Sequence, residues 1–263
     1  MNEQSDRNYI LSIEKAFKIL EAFCQPNTEF GLTEIANTCM LSKTATNRFL
    51  YTLTKLGYLI RNENKRYLLS PKVMTLGYGY LNASSLRSVG KQFVDELSEE
   101  IDRTVNLGIL YDINMVYLYR KEVMRYLKHE LYDGSLLPAY CTSLGKILLA
   151  GLSDEELKER IGRMELKPIT SNTITDKEQL YKDILDARQK GFCVSDRELS
   201  MDLFAVAVPV LNAKGCVVAG INVTMSPDEN SKKEFQKILE KLTLKGCSLS
   251  NMLGYIGSYP KLG

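Results

Sequence analysis

The chain is 263 residues long, 44% hydrophobic and 25% charged, and its 34 Lys and Arg against 32 Asp and Glu leave a formal net charge of +2. That is the make-up of an ordinary soluble chain with room for two domains and their cores, and so small a net charge gives the whole molecule no pull toward a polyanion. The polar start MNEQSDRNYI has no signal-peptide character, no apolar run approaches the roughly 18 residues of a membrane helix, and Cys24, Cys39, Cys141, Cys193, Cys216 and Cys247 lack C-x-x-C spacing and accompany one histidine, which argues against a disulfide framework or a zinc site and for buried free thiols in a reducing cytoplasm.

The first helical pattern runs from Ser12 to Cys24, with Ile13, Ala16, Phe17, Leu20 and Phe23 on one face; Pro26 closes it before a loop to Gly31. Thr33 follows as the expected N-cap of a second helix, with Glu34 in the first turn, where a carboxylate suits the helix dipole. Ile35 and Ala36 begin its apolar face. Met40 and Leu41 bridge to Ser42, the expected N-cap of a third helix in which Ala45, Phe49, Leu53 and Leu56 recur at helical spacing and should face the core. The opposite side carries Lys43, Thr44, Thr46, Asn47 and Arg48 near the N-terminal end, which is the end a helix-turn-helix inserts into the major groove. Gly57 suits the position just past the helix, and Tyr58–Ile60 and Tyr67–Leu69 read as two strands around the polar turn Asn62–Lys65, a wing.

Charge placement supports this reading. Between residues 40 and 72, seven cations (Lys43, Arg48, Lys55, Arg61, Lys65, Arg66, Lys72) face one acid, Glu63, a local +6, while residues 83–263 hold 24 basic and 25 acidic side chains. An isolated charge run is more often a solvated face, but here the cations follow a capped helix-turn-helix pattern. Cations neutralise phosphates and short polar groups reach base edges. The expected DNA contacts are Ser42, Lys43, Thr44, Thr46, Asn47 and Arg48 on the helix and Arg61, Lys65 and Arg66 on the wing.

After the wing, Ser70-Pro71 opens a segment through Leu81 in which Gly77 and Gly79 interrupt the apolar residues, a weak linker helix. Leu86–Ile101 is a good amphipathic helix (Val89, Phe93, Val94, Leu97, Ile101) that starts a second domain. Strand-like runs follow at Thr104–Tyr111, Met115–Tyr119, a possible edge near Tyr126–Leu131, Leu203–Leu211 and Cys216–Thr224, with helices at Ser143–Leu149, Asp154–Arg163 and Asp176–Lys190 between them. Strands broken by helices without strict alternation fit an α+β domain. The division expected is 1–70 for a winged helix-turn-helix domain, 71–85 for a linker helix and 86–263 for the second domain.

Four ordered segments carry a likeness to a known family. Ser12–Leu20 is similar to the first helix, and Leu32–Ala36 with Ser42–Arg48 to the helix-turn-helix, of the IclR family of bacterial transcriptional regulators. Leu137–Lys146 (LPAYCTSLGK) and Gly191–Leu199 (GFCVSDREL) resemble the two signature segments of that family's effector-binding domain. The likeness spans about Ser12 to Leu244. It implies a GAF-like C-terminal domain with an effector pocket at Tyr126, His129, Ser143, Leu144, Ser195, Leu203, Ala205, Asn222 and Thr224. LPAYCTS and VSDREL look most like the branch controlling aromatic-acid catabolism through 4-hydroxybenzoate, protocatechuate or β-ketoadipate. Asp202, Phe204 and Ala205 depart from that branch, which usually has glycine before the leucine and a small polar residue two or three positions later.

The residues themselves bear on sensing against catalysis. No Ser/His/Asp constellation or phosphate loop is present, and the one imidazole, His129, is as well explained by packing. Ser143 beside Lys146 is a helix cap as readily as a ligand contact, and the backbone N–H groups of such a helix start suit a carboxylate. Asn222 and Thr224, two apart on an apolar strand, point a polar pair to one side and are favoured as ligand contacts. The function expected is a sequence-specific regulator, not an enzyme, whose affinity for a palindromic double-stranded operator is changed by a small organic acid. It needs no cofactor or metal, has no membrane contact, and works as a homodimer or, by resemblance, a tetramer. The alternative is a metabolite-binding protein or enzyme whose N-terminal module serves protein contacts; a purely architectural DNA binder is opposed by the long neutral second half.

Overall fold

A computed structural model describes residues 8–24, 29–83, 85–125 and 131–260. It divides into two compact units, Met1–Tyr80 and Leu81–Gly263. The first holds helices α1 (Leu11–Ala22), α2 (Leu32–Thr38) and α3 (Lys43–Lys55), strands β1 (Leu59–Arg61) and β2 (Tyr67–Leu69), and a 3-10 turn at Pro71–Val73 that leads into α4 (Met74–Ala83) across the division. Its core is Ile19, Ala22, Phe23, Phe30, Ile35, Cys39, Leu50, Leu53, Leu59 and Tyr67.

The local chemistry explains where these helices start and stop. Gly31, not Thr33, is the N-cap of α2: it is extended, and Glu34 reaches back to accept its N–H at 2.7 Å, so a carboxylate satisfies the N-cap's own donor, where a capping threonine would have accepted from an N–H further along the helix. Ser42 does cap α3, its Oγ accepting the Ala45 N–H at 3.2 Å. At the other end Gly57 adopts φ +81, the Gly57 N–H bonds the Thr54 carbonyl and the Tyr58 N–H bonds the Leu53 carbonyl, the paired bonds of a Schellman motif. That left-handed residue turns the chain into β1, which pairs antiparallel with β2.

Two apolar faces differ from the sequence reading. On α1 the buried residues are Ile19, Ala22 and Phe23, while Ile13 and Phe17 are 51% and 53% exposed, because the helix carries a second apolar stripe that the single chain leaves uncovered. On α3 the inner face is Thr46, Leu50 and Leu53, with Ala45 and Phe49 half-buried and Leu56 exposed at the C-cap. A 3.6-residue period puts 46, 50 and 53 on one stripe as well as 45, 49 and 53, and packing against α2 and β1 chose the former.

The second unit begins with α5 (Ser85–Ile101) and continues through β3 (Thr104–Tyr111), β4 (Asn114–Lys121), β5 (Leu136–Pro138), α6 (Ser143–Leu149), α7 (Asp154–Arg163), α8 (Lys177–Lys190), β6 (Cys193–Asp196), β7 (Phe204–Leu211), β8 (Val217–Met225) and α9 (Glu229–Met252). The strands form one antiparallel sheet in the order β5-β4-β3-β8-β7-β6. Helices α5 and α9 cover one face through Val94, Leu97, Ile238, Leu239 and Leu242; α6, α7 and α8 cover the other through Leu144, Ile147, Leu157, Ile161, Leu180 and Ile184. This is an α+β domain, built mainly by burial: each such side chain contributes about 1.5–3 kcal/mol.

Of the possible edge near Tyr126–Leu131, residues 126–130 lie outside the described residues, and the edge strand observed is β5, further on. Strand β6 and the 24-residue helix α9 are absent from the sequence reading above. All six cysteines are free thiols, but Cys24 and Cys216 are exposed rather than buried. No described helix is long and apolar enough to cross a membrane.

Candidate DNA interface and ligand-binding face

In the first unit, Ser42, Lys43, Thr44, Asn47 and Arg48 stand exposed on the start and outer face of α3. Thr46 does not join them. It has no exposed surface, and its hydroxyl donates to the Ser42 carbonyl at 3.0 Å, a back-bond that lets a polar side chain sit in the core. The exposed stripe instead continues through Tyr51, Thr52 and Lys55, with Tyr51 64% exposed and Lys55 Nζ 5.7 Å from its ring centre. The sequence reading missed Tyr51, which stepping three and four residues on from Arg48 and Asn47 would have found.

Between α3 and the wing lies a groove of about 540 Å³ lined by Asn47, Arg48, Tyr51 and Thr52 on one side and Arg61 and Tyr67 on the other. Arg61 is exposed and packs over the Tyr67 ring at 5.5 Å. Lys65 is exposed at the wing turn with φ +60. Arg66 is differently engaged: its Nη2 donates to Glu34 Oε2 at 2.8 Å and to the Glu29 carbonyl at 2.9 Å, which fastens the wing to α2. The Gly31 N–H first, and then Arg66, hold the Glu34 carboxyl below its ordinary 4.5. Lys72 Nζ donates to the Leu56 carbonyl at 2.8 Å and lies over the Tyr58 ring, placing a cation at the C-terminal end of α3.

In the second unit, the strand register gathers polar side chains on the sheet face that α6 covers. One cross-strand row runs Arg120, Asn106, Asn222, Ala207, and the next Thr104, Thr224, Ala205, Ser195. Asn106 Nδ2 donates to Asn222 Oδ1 at 2.8 Å, and Asn222 Nδ2 to Ser143 Oγ at 3.4 Å. Ser195 Oγ donates to the Cys141 carbonyl at 3.3 Å. All of these side chains except Arg120 are buried by residue, in a core that is otherwise apolar.

Six of the nine expected effector positions, Ser143, Leu144, Ser195, Ala205, Asn222 and Thr224, therefore meet on one face. Ser143 is not the cap of α6: Thr142 Oγ1 accepts the Gly145 N–H at 3.0 Å, and Ser143 is the first helical residue, its hydroxyl turned to Asn222. Leu144 is wholly buried, and a Cβ built on Gly108 or Gly220 would come within 2.5 or 2.9 Å of its methyl groups, so it is locked between the two strands. Leu203 is half-buried and precedes β7, in the loop where its carbonyl accepts the Arg197 N–H. Tyr126 and His129 lie outside the described residues.

Beside this face is an ion cluster that joins the two signature segments. Lys146 Nζ, with no exposed surface, binds both Glu198 carboxylate oxygens at 2.7 Å and Asp183 Oδ2 at 2.8 Å. Burial opposes the Lys146 charge, but Glu198, Cys193 and Asp183 together raise its pKa above 10.5. Burial pushes the Cys141 and Cys193 thiols up to about 12, which leaves them unreactive near neutrality.

A family model described as "Bacterial transcriptional regulator IclR C-terminal" matches residues 78–251, and one described as "IclR helix-turn-helix domain" matches residues 12–63. The chain belongs to the IclR family. This IclR-family protein is a DNA-binding transcriptional regulator with a C-terminal effector-binding domain, and the family consists of regulators rather than enzymes. It is similar to the Pca regulon regulatory protein of Pseudomonas putida, 34% identical over 233 residues that cover 88% of this chain and 80% of the relative. The p-hydroxybenzoate hydroxylase transcriptional activator of Acinetobacter baylyi is 35% identical over 221 residues, 82% of this chain and 81% of the relative. The crystal structure of an IclR homolog from Microbacterium hydrocarbonoxydans, complexed with 4-hydroxybenzoate, matches with a TM-score of 0.77 over 92% of this chain and 98% of that one; at 19% identity this likeness is one of fold.

Proposed function

We propose that this IclR-family regulator senses a small organic acid, aromatic or otherwise carboxylic, and that binding it changes affinity for a palindromic operator. The observation that carries the reading is the pair of polar rows under α6, Asn106–Asn222 and Thr104–Thr224–Ser195, buried where a core without a guest would be apolar. The relatives whose names concern p-hydroxybenzoate and Pca regulation, and the homolog that holds 4-hydroxybenzoate, support an aromatic acid.

DNA contacts are assigned to Ser42, Lys43, Thr44, Asn47 and Arg48 on the helix and Arg61 and Lys65 on the wing, with Tyr51 added from the groove. Arg66 is assigned to holding the wing. Division at about 1–70, 71–85 and 86–263 makes the middle segment the transmitter. A homodimer follows from the need for two recognition helices one turn of DNA apart, and the exposed Ile13 and Phe17 of α1 with Met74, Leu76 and Tyr80 of α4 supply its apolar surface. Pairing of dimers and a cytoplasmic location complete the reading.

Electrophoretic mobility shifts at several salt concentrations test the DNA half. Arg48→Ala should weaken operator binding and relax base preference, whereas Lys65→Ala should lower affinity evenly and flatten the salt slope. Equal, salt-independent losses would reject these roles. Thermal shifts of the full chain against small organic acids test the other half, since a ligand at 100 times its Kd stabilises by about 2.7 kcal/mol.

A further inference from the structure

We infer that Arg120 is the anion anchor of the effector site, gripping the carboxylate of the bound acid; the inference rests on the effector-sensing role proposed above. A period-two reading of β4 would turn Arg120 away from Tyr117, toward the α5 side of the sheet. The register slips between Leu107 and Gly108, so Gly108 pairs with Tyr117, Leu107 with Tyr119 and Asn106 with Arg120. Leu118 and Tyr119 both pack into the core under α5, and Arg120 emerges on the α6 side, directly across from Asn106.

Once there, the side chain is 10% exposed. Its guanidinium lies 4.7 Å over the Tyr117 ring, and Nη2 is 3.5 Å from Glu122, whose other oxygen takes the Arg125 Nε at 3.1 Å. Among the described residues Arg120 Nε is buried with no hydrogen-bond partner, and so is Asn106 Oδ1, on the residue paired with it across the strands. Orphaned buried donors and acceptors are rare because each forfeits its hydration without return. Here a donor and an acceptor are orphaned on residues paired across two strands, in the polar row that continues to Asn222 and Ser143. A guest that accepts from the guanidinium and donates to the amide oxygen completes both, and a carboxylic acid carrying a hydroxyl does so. Arginine is suited to that role because its planar fork meets a carboxylate through Nε and one Nη together.

The test uses the full chain and three variants of it, R120M, R120K and E122Q. Wild type is first screened by thermal shift against 4-hydroxybenzoate, protocatechuate, benzoate and pyruvate, and the acid that stabilises most is titrated calorimetrically beside its primary amide. Loss of a buried charge partner predicts that R120M weakens binding of the acid by about thirtyfold or more. R120K should recover only part of this, having no Nε, while R120M leaves the weak binding of the amide unchanged. E122Q should bind the acid at least as tightly as wild type. Without ligand, R120M should bind operator normally, with its melting point lowered at most slightly by loss of the Tyr117 ring contact and the Glu122 pair. Equal affinity of R120M and wild type for the acid overturns the anchor and leaves acid sensing standing. A markedly lower melting point of ligand-free R120M with equal losses for acid and amide makes Arg120 a packing residue and also overturns it. A wild type that binds none of the acids yet retains operator binding overturns the acid-sensing role and the anchor together.

Discussion

Lys146 and Lys65 carry the same charge in opposite settings. Lys65 stands in water at the wing turn, and Lys146 sits without exposed surface against Glu198 and Asp183. Removing one partner of a buried pair strands the other, so Lys146→Met should cost about 3–5 kcal/mol, while Lys146→Met with Glu198→Leu should recover much of the loss. Urea denaturation of the two variants checks this, and a double mutant no better than the single would deny the coupling. Glu34 gives the pH counterpart. Its carboxyl is held below the ordinary 4.5 by the Gly31 N–H and then Arg66, so its contribution is complete above 4.5 and fades as pH falls through the lower folded-state value. Glu34→Gln should therefore lose stability relative to wild type at neutral pH and converge with it in acid, followed by thermal melts across that range. Neither residue's partner was legible in the sequence: Arg66 read as a phosphate contact, and Lys146 was separated from Glu198 by the whole of α7 and α8.

The helix-turn-helix was legible because its determinants are local. Ser42 caps, Gly57 reverses the chain, and Asn62 to Lys65 close the wing, each through bonds to residues a few positions away. Gly57→Ala forces a side chain into φ +81 and should destabilise by about 1 kcal/mol, lowering both the melting temperature and operator affinity because the wing is aimed by that turn. A melting temperature and operator affinity equal to wild type would show that the turn tolerates the strain. Which face of a helix goes inward was less legible. Thr46 and Ala45 were alternatives by period alone, and neighbours on α2 and β1 decided between them. Arg120 was hidden for a related reason: alternation assigns faces in a regular strand, and the bulge in β4 reverses the parity midway. Helix α9 carries Phe235, Ile238, Leu239 and Leu242 at helical spacing, a local signal of the same kind as that of α5.

If the intact regulator senses an acid as proposed, acid binding and operator binding are linked and the coupling must be reciprocal. If the acid changes operator affinity by about 5 to 150-fold, a coupling of roughly 1–3 kcal/mol, the operator must change acid affinity by the same factor and in the same direction. Calorimetric titration of the acid into regulator with and without operator duplex measures one side and mobility shifts the other; a mismatch would mean that the two sites are not linked as proposed. The family, the order of its two domains and the recognition helix were readable from residue order alone, since capping, charge placement and signature segments act over short stretches of chain. The face proposed to bind the ligand was not. Its rows join β3, β4, β6, β7 and β8, and no residue announces a partner more than a hundred positions away, as Asn106 has in Asn222. Only strand register, a bulge and the closure of α6 over two glycines brought those groups together, because hydrogen-bonded pairing between distant strands fixes neighbours that local propensity cannot specify.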